Sequence, residues 1–134
     1  MKKLAMLLFC IFIFGGCVSN KNFRQVKFGE GGGVVGSRTE YIINSKGELY
    51  KKNSLKAEIQ KTGKISNDKI KEIIQKSETI CKLDTIFNPG NYYYFVEIEM
   101  KSCKKNFVWS TSSSTNISNL TEFYNFLNTN IIKQ

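Results

Sequence analysis

The sequence predicts a two-layer α+β fold, a mainly antiparallel sheet with two helices in the order β-β-β-α-β-β-α. Short segments rich in β-branched and aromatic residues recur over positions 22–53 and 92–109, and turn residues separate them, as is typical of strands joined by hairpins. Apolar residues fall at helical spacing over 67–82 and again over 120–131. Helices that cover one face of such a sheet give two layers.

The first strand is predicted over residues 23–28 and is expected to end at the glycine cluster of residues 29–33. The glycines formally match a dinucleotide-binding pattern, but that site needs a helix directly after them, and strand-like sequence follows instead. We expect a tight turn or bulge here. The alternative is a flexible binding loop at Gly31, Gly32 and Gly33.

A hairpin follows, with strands predicted over residues 34–43 and 48–52. Asn44-Ser45-Lys46-Gly47 forms its turn, because Gly47 suits a left-handed conformation. The first helix is predicted over 67–82, with Ser66 as its N-cap and Asp68 in its first turn, where a carboxylate complements the helix dipole.

Alternation of apolar and other residues predicts the next strand over 92–100, after the break at residues 88–91. Residues 101–106 are expected to turn back into a strand at 107–109.

A polar loop over residues 110–116 then precedes the last amphipathic helix. Asn119 and Glu122 have the spacing of a capping box at its start.

The N-terminal segment has the anatomy of a signal peptide over residues 1–16. Two lysines precede an apolar run from Leu4 to Phe14, which is shorter than the roughly 20 residues that a membrane-spanning helix needs. The segment FGGC, ending at Cys17, resembles the lipobox of bacterial lipoproteins. That resemblance implies cleavage after Gly16 and lipidation of Cys17; ordinary cleavage after Ser19 is the alternative.

Lipidation would make Cys17 a membrane anchor that can be labelled with palmitate. Each buried methylene adds about 0.8 kcal/mol, so two or three acyl chains hold a protein permanently. Residues 17–21 then form a lipidated tether and 22–134 a single domain. Val18 stands where an inner-membrane retention signal would have Asp, which favours the outer membrane within the cell envelope.

The composition limits the chemistry of the domain. The chain has no histidine, which excludes Ser-His-Asp triads, Cys-His pairs and His-ligated zinc. Its 20 basic residues against 11 acidic ones are scattered, so we expect a solvated surface and no nucleic-acid partner. We expect no cofactor, metal site or catalytic residue.

Cys81 and Cys103 remain once Cys10 is removed with the signal peptide and Cys17 is lipidated. An oxidising envelope allows them to form a disulfide. Alternatively, Cys81 packs as a small apolar side chain on its helix.

Two further patterns have a structural and a functional interpretation. The aromatic segment Tyr92 to Phe95, with Trp109, fits core packing better than a sugar-stacking surface. Glu97 and Glu99, two residues apart on one strand face, fit a solvated charge ladder better than a pair of hydrolytic carboxylates, for which Asp84 is a third candidate.

The segments FGEGGGVVG at 28–36, GELYK at 47–51 and NPGNYYYF at 88–95 resemble an uncharacterised family of small bacterial lipoproteins. The resemblance covers most of residues 25–127 and implies the anchor and the α+β order, with no activity. We therefore expect a non-enzymatic envelope module that binds a protein or glycan. The alternatives are an inhibitor of an envelope or extracellular hydrolase and a cell-wall or glycan-active enzyme.

Overall fold

The computed structural model describes residues 20–110 and 117–133. The predicted signal peptide, Cys17 and most of the polar loop lie outside them. The predicted α+β class is confirmed, because the described ranges contain two α-helices and one seven-stranded sheet that is antiparallel except at one edge pair.

The strands lie in the order β4-β3-β2-β1-β6-β7-β5. Their bounds are β1 Phe23–Gly32, β2 Ser37–Asn44, β3 Glu48–Asn53, β4 Ile59–Lys64, β5 Phe87–Asn88, β6 Tyr92–Met100 and β7 Lys104–Ser110. The helices are α1 Asn67–Ile80 and α2 Ser118–Leu127, with a 3-10 turn Asn20–Asn22 before β1 and a π-helical turn Asn128–Ile132 after α2. Strand β1 is therefore central, with β2 and β6 on its two sides.

The β2–β3 hairpin is confirmed. The Asn44 side-chain oxygen accepts hydrogen bonds from the backbone N–H groups of Lys46 and Glu48, both at 3.0 Å. Gly47 has a φ of 76°, a left-handed conformation that glycine adopts without strain. The local sequence therefore specifies this turn.

Strand β1 ends within the glycine cluster and a tight turn follows, as predicted, but the strand extends four residues past Phe28. Strand β1 continues to Gly32, and Gly29, Gly31 and Gly32 all pair with both neighbouring strands. The turn lies at residues 33–36, where the Gly36 N–H donates to the Gly33 carbonyl at 3.0 Å.

Three strands of the sheet also differ from the prediction. Strands β4 and β5 were not predicted, and β7 begins at Lys104 instead of residue 107. Lys104 lies opposite Glu99 across the β6–β7 pair, and such a cross-strand pair of opposite charges supports the early start.

Helix α1 matches its prediction closely. The Ser66 hydroxyl accepts a hydrogen bond from the Lys69 N–H at 3.4 Å, and Asp68 lies in the first turn. The capping box predicted for the second helix was wrong, because α2 begins at Ser118 after Ile117 and has no side-chain cap. Asn119 is therefore already helical.

Both helices cover the same face of the sheet and share one core with it. The sheet contributes Val26, Phe28, Ile43, Val96, Ile98, Phe107 and Trp109 to this core. Alternation along the strands directs the remaining side chains to the opposite face, which we call the open face.

We expect two serines of α1 to affect stability in opposite directions. The Ser77 hydroxyl is buried and has no hydrogen-bond partner within the described residues, so Ser77→Ala should raise the free energy of unfolding by about 1 kcal/mol. Ser66→Ala removes the N-cap and should lower it by about 1 kcal/mol. Urea unfolding measures both values, and shifts in the same direction would contradict this account.

Candidate functional site

The glycine cluster lies against aromatic residues of β6. A Cβ atom on Gly31 would lie 2.5 Å from the Tyr93 hydroxyl oxygen, and one on Gly33 would lie 3.0 Å from that of Tyr92. A Cβ atom on Gly32 would lie 2.0 Å from the Asn91 carbonyl oxygen. The three candidate binding-loop glycines therefore allow close packing, and neighbouring residues already occupy the space beside them.

Arg38 on β2 reaches across β1 on the open face. Its guanidinium carbon lies 3.7 Å from the centre of the Phe95 ring on β6. Its Nη2 also lies 2.9 Å from a carboxylate oxygen of Glu40. This stack covers Phe95, which is fully buried, so the centre of the open face is closed.

The carboxylates of Glu97 and Glu99 are paired with side chains of β1. Glu97 lies 3.2 Å from Lys27 Nζ, and Glu99 accepts a hydrogen bond from Gln25 at 2.8 Å. The Gln25 hydrogen bond, with nearby positive charges, lowers the pKa of Glu99. A carboxylate held in its ionised form fits a charge ladder, whereas a general acid needs a raised pKa.

A second hydrogen-bonded cluster surrounds the carboxylate of Glu48 on the β2–β3 hairpin. Glu48 accepts hydrogen bonds from Lys61 Nζ at 2.6 Å, from the Asn44 amide at 2.7 Å and from the Tyr50 hydroxyl at 3.1 Å. These bonds, led by that of Lys61, lower the pKa of Glu48 to about 2. The cluster ties β2, β3 and β4 together.

The aromatic residues divide between the core and the surface. Trp109 is 2% exposed, and its ring meets that of Tyr124 edge-on at 5.8 Å. Tyr94 lies 5.0 Å from the same Tyr124 ring, and burial raises the pKa of Tyr124. Trp109 therefore packs in the core, whereas Tyr92 is exposed.

Cys81 and Cys103 form a disulfide with a Cα–Cα distance of 6.2 Å. Cys81 directly follows α1, and Cys103 lies in the β6–β7 turn. Asp84 is exposed nearby, beside a cavity between the end of α1 and the start of α2.

One end of the sheet carries every exposed large hydrophobic side chain of the described ranges. We call this set the apolar rim; it comprises Val34, Val35, Leu55, Ile59, Phe87 and Tyr92. The register places all of them toward this end, because the β1–β2 turn, the β3–β4 connection, the start of β6 and the end of β7, beside β5, lie there. Val34 and Val35 lie at the centre of the rim, Ile59 at the β4 edge and Phe87 at the β5 edge. The sequence analysis did not predict the rim, although Val34 and Val35 between two glycines could have indicated apolar side chains exposed in a turn.

The opposite end of the sheet is basic. Strand β1 begins there at Phe23, and the 3-10 turn, the β2–β3 turn and the β6–β7 turn lie beside it. These turns carry Lys21, Lys46 and Lys101, all exposed. We call this the basic end.

Comparison with known proteins does not add a relative. No family model and no curated protein matches the chain. No helix within the described ranges is long and apolar enough to cross a membrane. Residues 20–110 and 117–133 also contain no group of three or more His, Cys, Asp or Glu side chains that could hold a metal ion.

Proposed function

We propose that this protein is a lipid-anchored, non-enzymatic binding module of the bacterial cell envelope. Cys17 would hold it at the outer membrane, and a protein partner would dock on the apolar rim. The observation that carries the proposal is that the basic end and the apolar rim lie at opposite ends of the sheet. The chain leaves the tether at the basic end, and the exposed apolar side chains lie at the other end.

Chain length supports this orientation. Two residues separate Cys17 from Asn20, the first residue of the 3-10 turn, and the three Cα–Cα steps between them span about 11 Å at most. The 10 residues of β1 then extend about 33 Å. A lipid on Cys17 would therefore keep the basic end close to anionic head groups and present the apolar rim about 30 Å farther out.

The chemistry of the rim favours a protein partner over a glycan. Val34 is fully exposed, and Val35 is 74% exposed at the tip of the β1–β2 hairpin. Four of the six rim side chains are aliphatic, and such side chains offer no hydrogen bonds to sugar hydroxyls, whereas they contribute to protein interfaces by burying apolar area. A protein with an apolar groove fits this surface.

A hydrolase inhibitor is the second candidate, and the same hairpin tip supports it. A narrow loop with two exposed valines can enter a cleft. The β6–β7 turn, a second hairpin tip that could enter a cleft, lies at the basic end. An enzyme acting through Glu97 and Glu99 is disfavoured, because both carboxylates are held by β1.

Photo-crosslinking in living cells tests the docking surface. A photoreactive amino acid at Val35 should give one discrete protein adduct, and the same amino acid at Lys46 on the basic end should not. The substitution Phe87→Ser on the rim should reduce the Val35 adduct, whereas Gln75→Ser on an exposed position of α1 should leave it unchanged. The same adduct from both ends, or no adduct from Val35, would refute rim docking.

The anchor is tested separately. Wild-type protein should incorporate labelled palmitate and carry the added mass of the lipid, and Cys17→Ser should lose both. Fractionation should place the wild type in the outer membrane. Equal labelling of the two proteins would rule out Cys17 as the anchor, whatever the crosslinking result.

A further inference from the structure

A cavity of about 550 Å³ lies on the helix-covered side of the sheet, beyond the end of α2. Strands β3 and β4 form its floor, and the π-helical turn forms one wall with Ile131 and Ile132. Its volume is within the roughly 300–1,000 Å³ that is usual for small-molecule sites. The cavity is separate from the apolar rim.

The lining combines an apolar interior with positive charge. Leu49, Ile131 and Ile132 supply apolar surface, and Lys51 supplies an ammonium group. Lys64 also lines the cavity, but it lies opposite Glu48 in the β3–β4 pair. None of the lining residues is acidic. The Lys51 ammonium lies 5.6 Å from the centre of the Tyr41 ring, which also lines the cavity, so its charge is close to the cavity wall.

A glycine in the middle of β4 keeps the cavity open. Gly63 lies opposite Leu49, and a Cβ atom added to it would have no neighbour within 4 Å. The β3–β4 register shifts between Leu49 and Tyr50, so a bulge adjoins this glycine. Glycine in a strand interior is unfavourable, and it often marks a place where a ligand approaches the backbone.

The geometry points to a binding site for a single-chain amphiphile with an anionic head group. The acyl chain lies along Leu49, Ile131 and Ile132, over the space that Gly63 leaves empty. The carboxylate or phosphate head pairs with Lys51. Because the lining contains Lys51 and no acidic residue, the cavity is complementary to an anion and repels a cation.

Site-mapped photolabelling tests this assignment with the full-length lipidated protein in phosphatidylcholine nanodiscs. The two probes are decanoate and decyltrimethylammonium, each with a diazirine at the end of the chain. Decanoate should label peptides that contain Ile65 or Ile131, saturably, and the cationic probe should not. Unlabelled decanoate or decyl phosphate should compete, and the better competitor identifies the preferred head group.

Three variants locate the site. Gly63→Leu fills the cavity and should abolish the decanoate label, whereas Gln75→Leu, which adds the same side chain on exposed α1, should leave it intact. The variant Lys51→Glu changes an exposed position and leaves the Glu48 cluster intact, so it should not impair folding. It should lower decanoate labelling about threefold and raise that of the cation.

Three results would each overturn the assignment. They are equal labelling by the two probes, labelling that charge reversal leaves unchanged, and labelling that neither unlabelled amphiphile reduces. None of them bears on the crosslinking test of the apolar rim, so the two proposals stand or fall separately.

Discussion

Loss of the Cys81–Cys103 disulfide is expected to lower the free energy of unfolding by about 3 kcal/mol. The bond closes a loop with a sequence separation of 22, and a loop of that size removes about this much conformational freedom from the unfolded chain. It also joins the end of α1 to the β6–β7 turn, two segments that no strand pairing connects. The double variant Cys81→Ala, Cys103→Ala should show the full loss.

Urea unfolding followed by Trp109 fluorescence measures this effect, since Trp109 is the only tryptophan and is buried. Reductant should destabilise the wild type by the same amount and should leave the double variant unchanged. A wild type whose urea midpoint is insensitive to reductant would argue against a stabilising bond.

Gly32→Ala should destabilise the domain by about 3 kcal/mol or more. Gly32 has a φ of 110°, and its new Cβ atom would lie 2.0 Å from the Asn91 carbonyl oxygen, a backbone atom that cannot rotate away. Conformational strain and steric overlap therefore add at a position in the central strand.

Gly36→Ala is the matched control. Gly36 also has a positive φ, 61°, but nothing lies within 4 Å of the added atom, so only strain of about 1 kcal/mol remains. The difference between the two variants in urea unfolding isolates the close approach of Gly32 to Asn91. Equal losses would mean that this approach is not a constraint in the folded protein.

The elements that the sequence predicts well have local causes. Helix α1 has its cap, its dipole partner and its apolar spacing within one segment, and the β2–β3 turn has Asn44 and Gly47 in place. Strand β4 has no such signal. It is mostly exposed and contains Gly63, so its conformation depends on pairing with β3.

The candidate sites depend on topology more than on motifs. Val35, Leu55 and Phe87 are distant in sequence, and only the strand order brings them to one end of the sheet. Residue spacing alone also left the Cys81–Cys103 bond undecided, because both a bridge and an apolar packing role fit it. Lipidation of Cys17 stays a prediction from the N-terminal pattern.

The central position of β1 has a mechanical consequence. A membrane anchor on the tether and a partner on the apolar rim would pull on the domain along the direction of this strand. Hydrogen bonds hold β1 on both sides, to β2 and to β6, and they run across the direction of the load. Because both points of load lie at the ends of this one strand, the tension would pass along its extended backbone, and the pairing with β2 and β6 would keep the strand in place.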